Sequence, residues 1–400
     1  MGEWWLWPTL SPDERMMKMN LGVIGYGLRI KGMVQAIIAN EPACRLTAIV
    51  DPRQDEIRNQ LNEKERNAVR FYSTPEEMLE SAELDGVLIG TRCSLHTQMA
   101  LKVLPTGIPL FLEKPVATTM EDLLQLKRGW ETARSPVLVS FPLSLSKLVL
   151  LSKEIVDSGK IGTVEHVQAV NNVPYGGVYF HAWYRDENET GGLFLQKATH
   201  DFDYITSILQ LKPVSICAMT SKQIFTGTKP AGLKCVDCSE NKTCEESTAF
   251  SSPQTRQNWA YCCFAEDTGN EDSGSALIRY ESGMHVNYSQ NFFVRRTAEA
   301  RGARFMGYKG TLAFDFYTNR IQVHMHHTPR VETYQLDQEE DHAGGDAALA
   351  KNFVEMIRDG KPPVRTLDDG LLSALMCLKA KESSLNGQFC QVAWQQPARS

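Results

Sequence analysis

A chain of 400 residues, 42% of them hydrophobic, exceeds what one core ordinarily covers. A two-domain globular protein is therefore expected, and a disordered chain is excluded. The net charge of -6, the pI near 5.9 and the lack of any Lys/Arg run argue against nucleic acid as a partner. No apolar stretch approaches the roughly 20 residues that span a bilayer, so the membrane is excluded and a small-molecule partner is favoured.

Residues 1–18 hold three tryptophans without periodicity and read as a tail, with Met16, Met17 or Met19 as alternative starts. The opening Met1-Gly2-Glu3-Trp4-Trp5 lacks the basic, apolar, small-residue order of a secretion signal, and a cytoplasmic location is expected. From Asn20 apolar runs alternate with amphipathic ones. Strands are expected at Leu21–Ile24, Leu46–Val50, Val69–Phe71, Gly86–Gly90, Pro109–Leu112 and Val137–Phe141. Helices are expected between them, one of them from Gln54 to Arg66 and another opened by Ser73-Thr74-Pro75-Glu76-Glu77. Such alternation predicts an α/β, doubly wound parallel sheet over residues 19–143.

Beyond Phe141 one helix at about Leu148 to Ser158 is followed by strand-like runs from Val164 to His324, several joined by short Gly-bearing turns. These predict an α+β domain with a mainly antiparallel open sheet over 144–400, interrupted by a polar, Cys-rich insertion at 227–270. Two late helices are expected, about Asp346–Asp359 and Leu367–Ser384, the second packing back on the first domain. An exposed sheet face suggests a homodimer or homotetramer.

Gly25-Tyr26-Gly27 falls where the first strand turns into a helix, a place where backbone N–H groups approach a pyrophosphate. Ile30 stands where the usual third glycine would be. Asp51 ends the second strand, where a carboxylate accepts from ribose hydroxyls and repels a 2'-phosphate, favouring NAD. Arg53 keeps NADP open as the alternative. Thr91 and His96 follow the fourth strand on the ligand-binding rim, with a helix-capping or packing role as the plain reading of His96. Glu113-Lys114-Pro115 ends the fifth on the same rim, where a held ammonium would anchor a ribose or stabilise a substrate oxygen.

An aromatic and basic patch contains Tyr175, Tyr179, Trp183 and Arg185, whose faces and donors suit a sugar ring or, equally, a core strand. Gln196, Lys197 and His200 follow two glycines, and the imidazole of His200 titrates near neutrality, as a proton acceptor from an alcohol should. The ten cysteines are expected to be reduced. Cys235 and Cys238 have the spacing that offers two thiolates to zinc, with Cys244, Cys262 or Cys263 completing a structural site; free thiols on a long loop are the equal alternative.

Taken together, these motifs resemble the Gfo/Idh/MocA family of glucose-fructose oxidoreductase and inositol dehydrogenase relatives, from Asn20 to about Asn386. The resemblance implies a Rossmann domain followed by an antiparallel-sheet domain, and sugar or cyclitol redox chemistry with a nicotinamide cofactor. It implies that Gly25, Gly27 and Asp51 face the dinucleotide, that Thr91 and His96 border it, and that Glu113, Lys114 and Pro115 flank the nicotinamide. Lys114 and His200 take the places of the family's catalytic lysine and histidine. The family commonly has an aspartate four residues before that histidine, where this chain has Gln196, and an amide takes no proton. Gln196 is then left to orient substrate, with Lys197, Asp201 or Asp203 sharing the missing charge. The run from Gln196 to Asp203 is similar to a branch that also carries a cysteine-rich insertion.

The expected reaction is hydride transfer between a nicotinamide cofactor and a secondary alcohol of a sugar, cyclitol or sugar derivative. His200 would serve as base and Lys114 as alkoxide stabiliser, with Tyr179, Trp183, Arg185, Gln196 and Lys197 against the substrate. The alternatives are an NAD-dependent glycosidase using transient oxidation and a nicotinamide-binding sensor or scaffold whose catalytic pair has decayed.

Overall fold

Six strands form one parallel sheet, the central ones reading as near-continuous apolar runs, the composition expected when both faces are covered. They are Met19–Ile24 (β1), Cys44–Val50 (β2), Arg70–Tyr72 (β3), Gly86–Ile89 (β4), Leu110–Leu112 (β5) and Val137–Val139 (β6), in the order β3-β2-β1-β4-β5-β6. The computed structural model describes residues 18–337 and 344–394; all but the last residue of the expected 1–18 tail lies outside them. Strand order reverses between β1 and β4, and there Ile24 is in register with Val50 and Ile89, and Ile89 with Leu112. Gly25, Asp51, Gly90 and Glu113 therefore leave the sheet on one row, at the switch point where such sheets bind ligands.

The second sheet runs β14-β13-β12-β11-β7-β10-β9-β8-β15. Its strands are Val164–Asn172 (β7), Pro213–Ser221 (β8), Ser273–Tyr280 (β9), His285–Asn291 (β10), Ala300–Gly307 (β11), Gly310–Asp315 (β12), Arg320–Met325 (β13), Val331–Gln335 (β14) and Cys390–Gln391 (β15). Only β7 and β10 pair in parallel; the other neighbours are antiparallel. The helix Thr199–Leu209 lies on its inner face, where Phe202 meets Tyr288 edge-on at 5.2 Å and Tyr204 meets Phe314 at 5.8 Å.

Several elements differ from expectation for local reasons. The helix expected from Gln54 to Arg66 is two, Gln54–Gln60 and Glu63–Ala68, because Asn62 caps a new start and exchanges hydrogen bonds with Glu65. β14 has no apolar stripe to reveal it, being a polar edge strand with no buried residue. Both late helices pack on the parallel-sheet domain: Phe353 of Gly345–Asp359 meets Phe111 edge-on at 5.8 Å and shares a buried cluster with Leu21, Val23 and Ile30, and Leu371 and Leu375 join the cluster of Val87, Val116 and Val139. The later helix, Leu367–Asn386, lies between the sheets: Gly370 approaches Val116 and Val139, while Ser383 accepts from Ala218 of β8 at 2.9 Å. No helix among the described residues is long and apolar enough to cross a membrane.

Candidate active site

Gly25 adopts φ 83°, and an added Cβ would lie 2.6 Å from the Thr91 nitrogen, so only glycine fits. A Cβ on Gly27 would meet nothing nearer than the Gly90 oxygen at 3.9 Å. The helix Leu28–Asn40 starts here with neither a side-chain cap nor an acidic residue in its first turn, leaving donors for an outside anion. Ile30 occupies the usual third-glycine place because the strand side yields: a side chain on Gly90 would overlap Ile30. The glycine that close helix–strand packing requires has moved across the interface.

Asp51 is buried and accepts from Tyr26 N at 2.9 Å and Arg53 N at 2.8 Å, with the Arg53 guanidinium at 3.2 Å. Burial alone would push its carboxyl up, but the hydrogen bonds from Arg53 and Tyr26 hold it below its usual value. The residues present thus fit a dinucleotide: a turn with glycine on either side of Tyr26, an uncapped helix start and a carboxylate held below its usual pKa on one rim.

Two expected cofactor neighbours have structural work there. His96 is buried with Nδ1 2.7 Å from the Pro115 carbonyl and Nε2 3.2 Å from that of Thr91. Burial lowers its pKa, and the shorter contact places the ring proton on Nδ1, which donates to the Pro115 carbonyl of the β5 turn. Glu113 accepts from Arg29 at 3.0 Å, and the same guanidinium reaches both Asp346 oxygens at 2.6 Å and Ser140 at 3.1 Å. The Lys114–Pro115 peptide is cis.

Lys114 donates from Nζ to the backbone carbonyl of Gln196 at 2.9 Å. Gly191 and Gly192, both at positive φ, turn the chain into a π-helical segment, Phe194–Ala198, that runs into the helix Thr199–Leu209. Glu271 steadies its start by accepting from Leu193 N and Phe194 N at 2.9 and 3.0 Å. His200 stands four residues beyond Gln196 on this run, buried, with its ring edge-on to Phe141 at 6.0 Å. Lys114 and His200 are thereby drawn to the same helical segment. Burial, offset in part by Cys93 and reinforced by Lys197, pulls the Lys114 pKa down to about 8.

The Gln196 amide donates to Cys93 Sγ at 2.9 Å, and Lys197 is buried with Nζ 2.5 Å from Tyr175 Oη. The acids expected to share the missing charge are committed elsewhere. Asp201 binds Arg301 at 2.8 Å, Asn171 at 2.7 Å and Tyr288 at 2.8 Å, while Asp203 pairs with Arg365. Trp183 carries the Arg92 guanidinium 3.8 Å above its ring, and Tyr179 is buried with Tyr184 and Phe292. Arg185, expected against substrate, bonds Asp267 and Thr268 of the insertion instead. Tyr175 apart, the sequence did not single out Cys93, Arg29 or Arg301 as parts of the site, since each acts through a distant partner.

The cysteine set expected for zinc is not gathered. All ten cysteines are free; Cys235 is turned inward beside His181, while Cys238 and Cys244 are half-exposed. Among the described residues the group within metal-holding reach is His181, Glu246 and Cys263.

Residues 19–141 match a model described as an oxidoreductase family with an NAD-binding Rossmann fold, and 149–313 match a GFO/IDH/MocA C-terminal domain. The chain is 25% identical over 341 residues to the putative oxidoreductase YteT of Bacillus subtilis, covering 73% of this chain and 76% of that one. It is 23% identical to scyllo-inositol 2-dehydrogenase (NAD(+)) of the same organism, over 96% of this chain and 97% of that one. The crystal structure of an oxidoreductase domain protein from Kribbella flavida shares the fold, with TM-score 0.76 at 17% identity over 94% of this chain and 100% of that one.

Proposed function

The chain belongs to the Gfo/Idh/MocA family of NAD-binding oxidoreductases, and from that premise we propose that it oxidises, reversibly, a secondary alcohol of a sugar, cyclitol or sugar derivative. The observation that carries the reading is the Lys114–Gln196 hydrogen bond, which brings the lysine of the β5 rim to the helical run bearing His200. Inositol and polyol activities among the relatives support the substrate class.

Gly25, Gly27 and Asp51 would hold the dinucleotide, which supplies the hydride acceptor when bound. His200 takes the hydroxyl proton, and Lys114, kept charged below about pH 8, stabilises the developing alkoxide. Trp183, Tyr179 and Lys197 form the wall against which the substrate ring is oriented, and Gln196, its amide held by Cys93, positions without exchanging a proton. Asp51 favours NAD, with NADP admitted by the half-exposed Arg53 beside it. A homodimer or homotetramer and a cytoplasmic location complete the proposal, the latter in keeping with ten free thiols.

Lys114→Ala and His200→Ala should each abolish turnover on a panel of polyols and aldoses while NADH binding, followed by fluorescence, persists. Retained turnover in both variants rejects the assignment; firm NADH binding without turnover in the unaltered protein favours the scaffold reading.

A further inference from the structure

We propose that His181, Cys263 and Glu246 form a zinc site that clamps the long insertion between β8 and β9 to the chain ahead of the active-site helix. Their ligating atoms lie within 4.8 Å of one another, and His181 and Cys263 are almost wholly buried.

The imidazole is already oriented for a metal. His181 Nδ1 lies 2.6 Å from the Tyr261 carbonyl, a contact that places the ring proton on Nδ1 and leaves the Nε2 lone pair facing Glu246. A metal-bound histidine is typically held in this way, through its other nitrogen by a backbone carbonyl. Nε2 and Glu246 Oε2 are 3.9 Å apart, too long for a hydrogen bond. Two ligands at ~2.0 Å from one tetrahedral zinc stand roughly 3.3 Å apart, so a small inward shift closes the shell. Arg295 grips both Glu246 oxygens at 2.8 and 2.9 Å and fixes the carboxylate from its outer side.

A nitrogen, sulfur and oxygen set selects zinc over calcium or magnesium, which take oxygen ligands. The fourth corner is left for water. Between β8 and β9 the chain forms little more than the short helices Cys235–Asp237 and Pro253–Asn258 and two isolated bridges. Segments of that length with so little regular structure are uncommon and are usually functional or linker segments. The three ligands come from chain positions far apart, so one ion would tie the insertion at two points to the segment that bears Tyr179 and Trp183.

The test uses the full chain, stripped with a chelator, reloaded with zinc alone, desalted and measured by plasma mass spectrometry. About one zinc per chain is expected, with losses of at least tenfold in Cys263→Ser and His181→Ala. Circular dichroism and NADH binding serve as the controls for folding. Cobalt in place of zinc should give a sulfur-to-metal charge-transfer band in the unaltered protein, which keeps the proposal testable if the variants fail to fold. An unaltered protein that retains no zinc and shows no such band, or a folded Cys263→Ser variant that keeps its full complement, overturns it.

Discussion

At Lys114, burial and the neighbouring cations Lys197 and Arg301 act against the ammonium, while Cys93 and Glu113 act for it, and the pKa settles near 8. If the charged form stabilises the alkoxide, kcat/KM for oxidation should fall as pH rises through about 8, the direction in which the lysine loses its proton. Lys114→Arg keeps its charge to beyond about pH 12, so its profile should lack that alkaline limb even at a reduced rate. A wild-type profile flat from pH 7 to about 10 would count against the role given to Lys114. Gly25 offers a second residue-scale test. A side chain there meets the Thr91 backbone at 2.6 Å with φ at 83°, so Gly25→Ala should cost at least about 1–2 kcal/mol and weaken NADH binding, as read by urea melts and titration. Unchanged affinity would show that the turn does not need its glycine.

The helix Thr199–Leu209 is seated by its buried apolar face, Phe202, Tyr204, Ile205 and Ile208, and also by Asp201. That carboxylate is fully buried and satisfied by Arg301, Asn171 and Tyr288 from three strands of the second sheet. Asp201→Ala leaves the Arg301 guanidinium buried without its counter-ion, and a loss of about 3–5 kcal/mol in urea unfolding is expected. A loss below about 1 kcal/mol would mean that packing alone seats the helix. The role of Asp201 was not legible in the sequence, where it read as one of several acids beside His200. Its partners lie on strands whose neighbours are set only when the sheet assembles. The strands themselves were mostly legible, because aliphatic runs and Gly-bearing turns act over a few residues. The exceptions, the polar β14 and the two-residue β15, have no such local signal.

Across the molecule, Arg29 is the tie between the cofactor turn, the Lys114 rim and the helix Gly345–Asp359, through Glu113, Ser140 and Asp346. Arg29→Ala should lower the thermal midpoint and raise the NADH Kd several-fold, since Glu113 and Asp346 would lose the cation that both bind. An unaltered Kd would confine Arg29 to stability. Arg29 and Asp346 stand 317 positions apart, and Lys114 and Gln196 stand 82 apart. The sequence alone was enough for the parallel sheet, because periodicity and turn glycines are local properties, whereas Lys114 and His200 stood together as catalytic candidates through the family resemblance. Tertiary structure alone assigned His96 and Arg185 to holding loops, moved the packing glycine to Gly90, and set His181 rather than the paired cysteines at the metal-competent cluster. Those outcomes rest on contacts between distant segments, which no local pattern encodes.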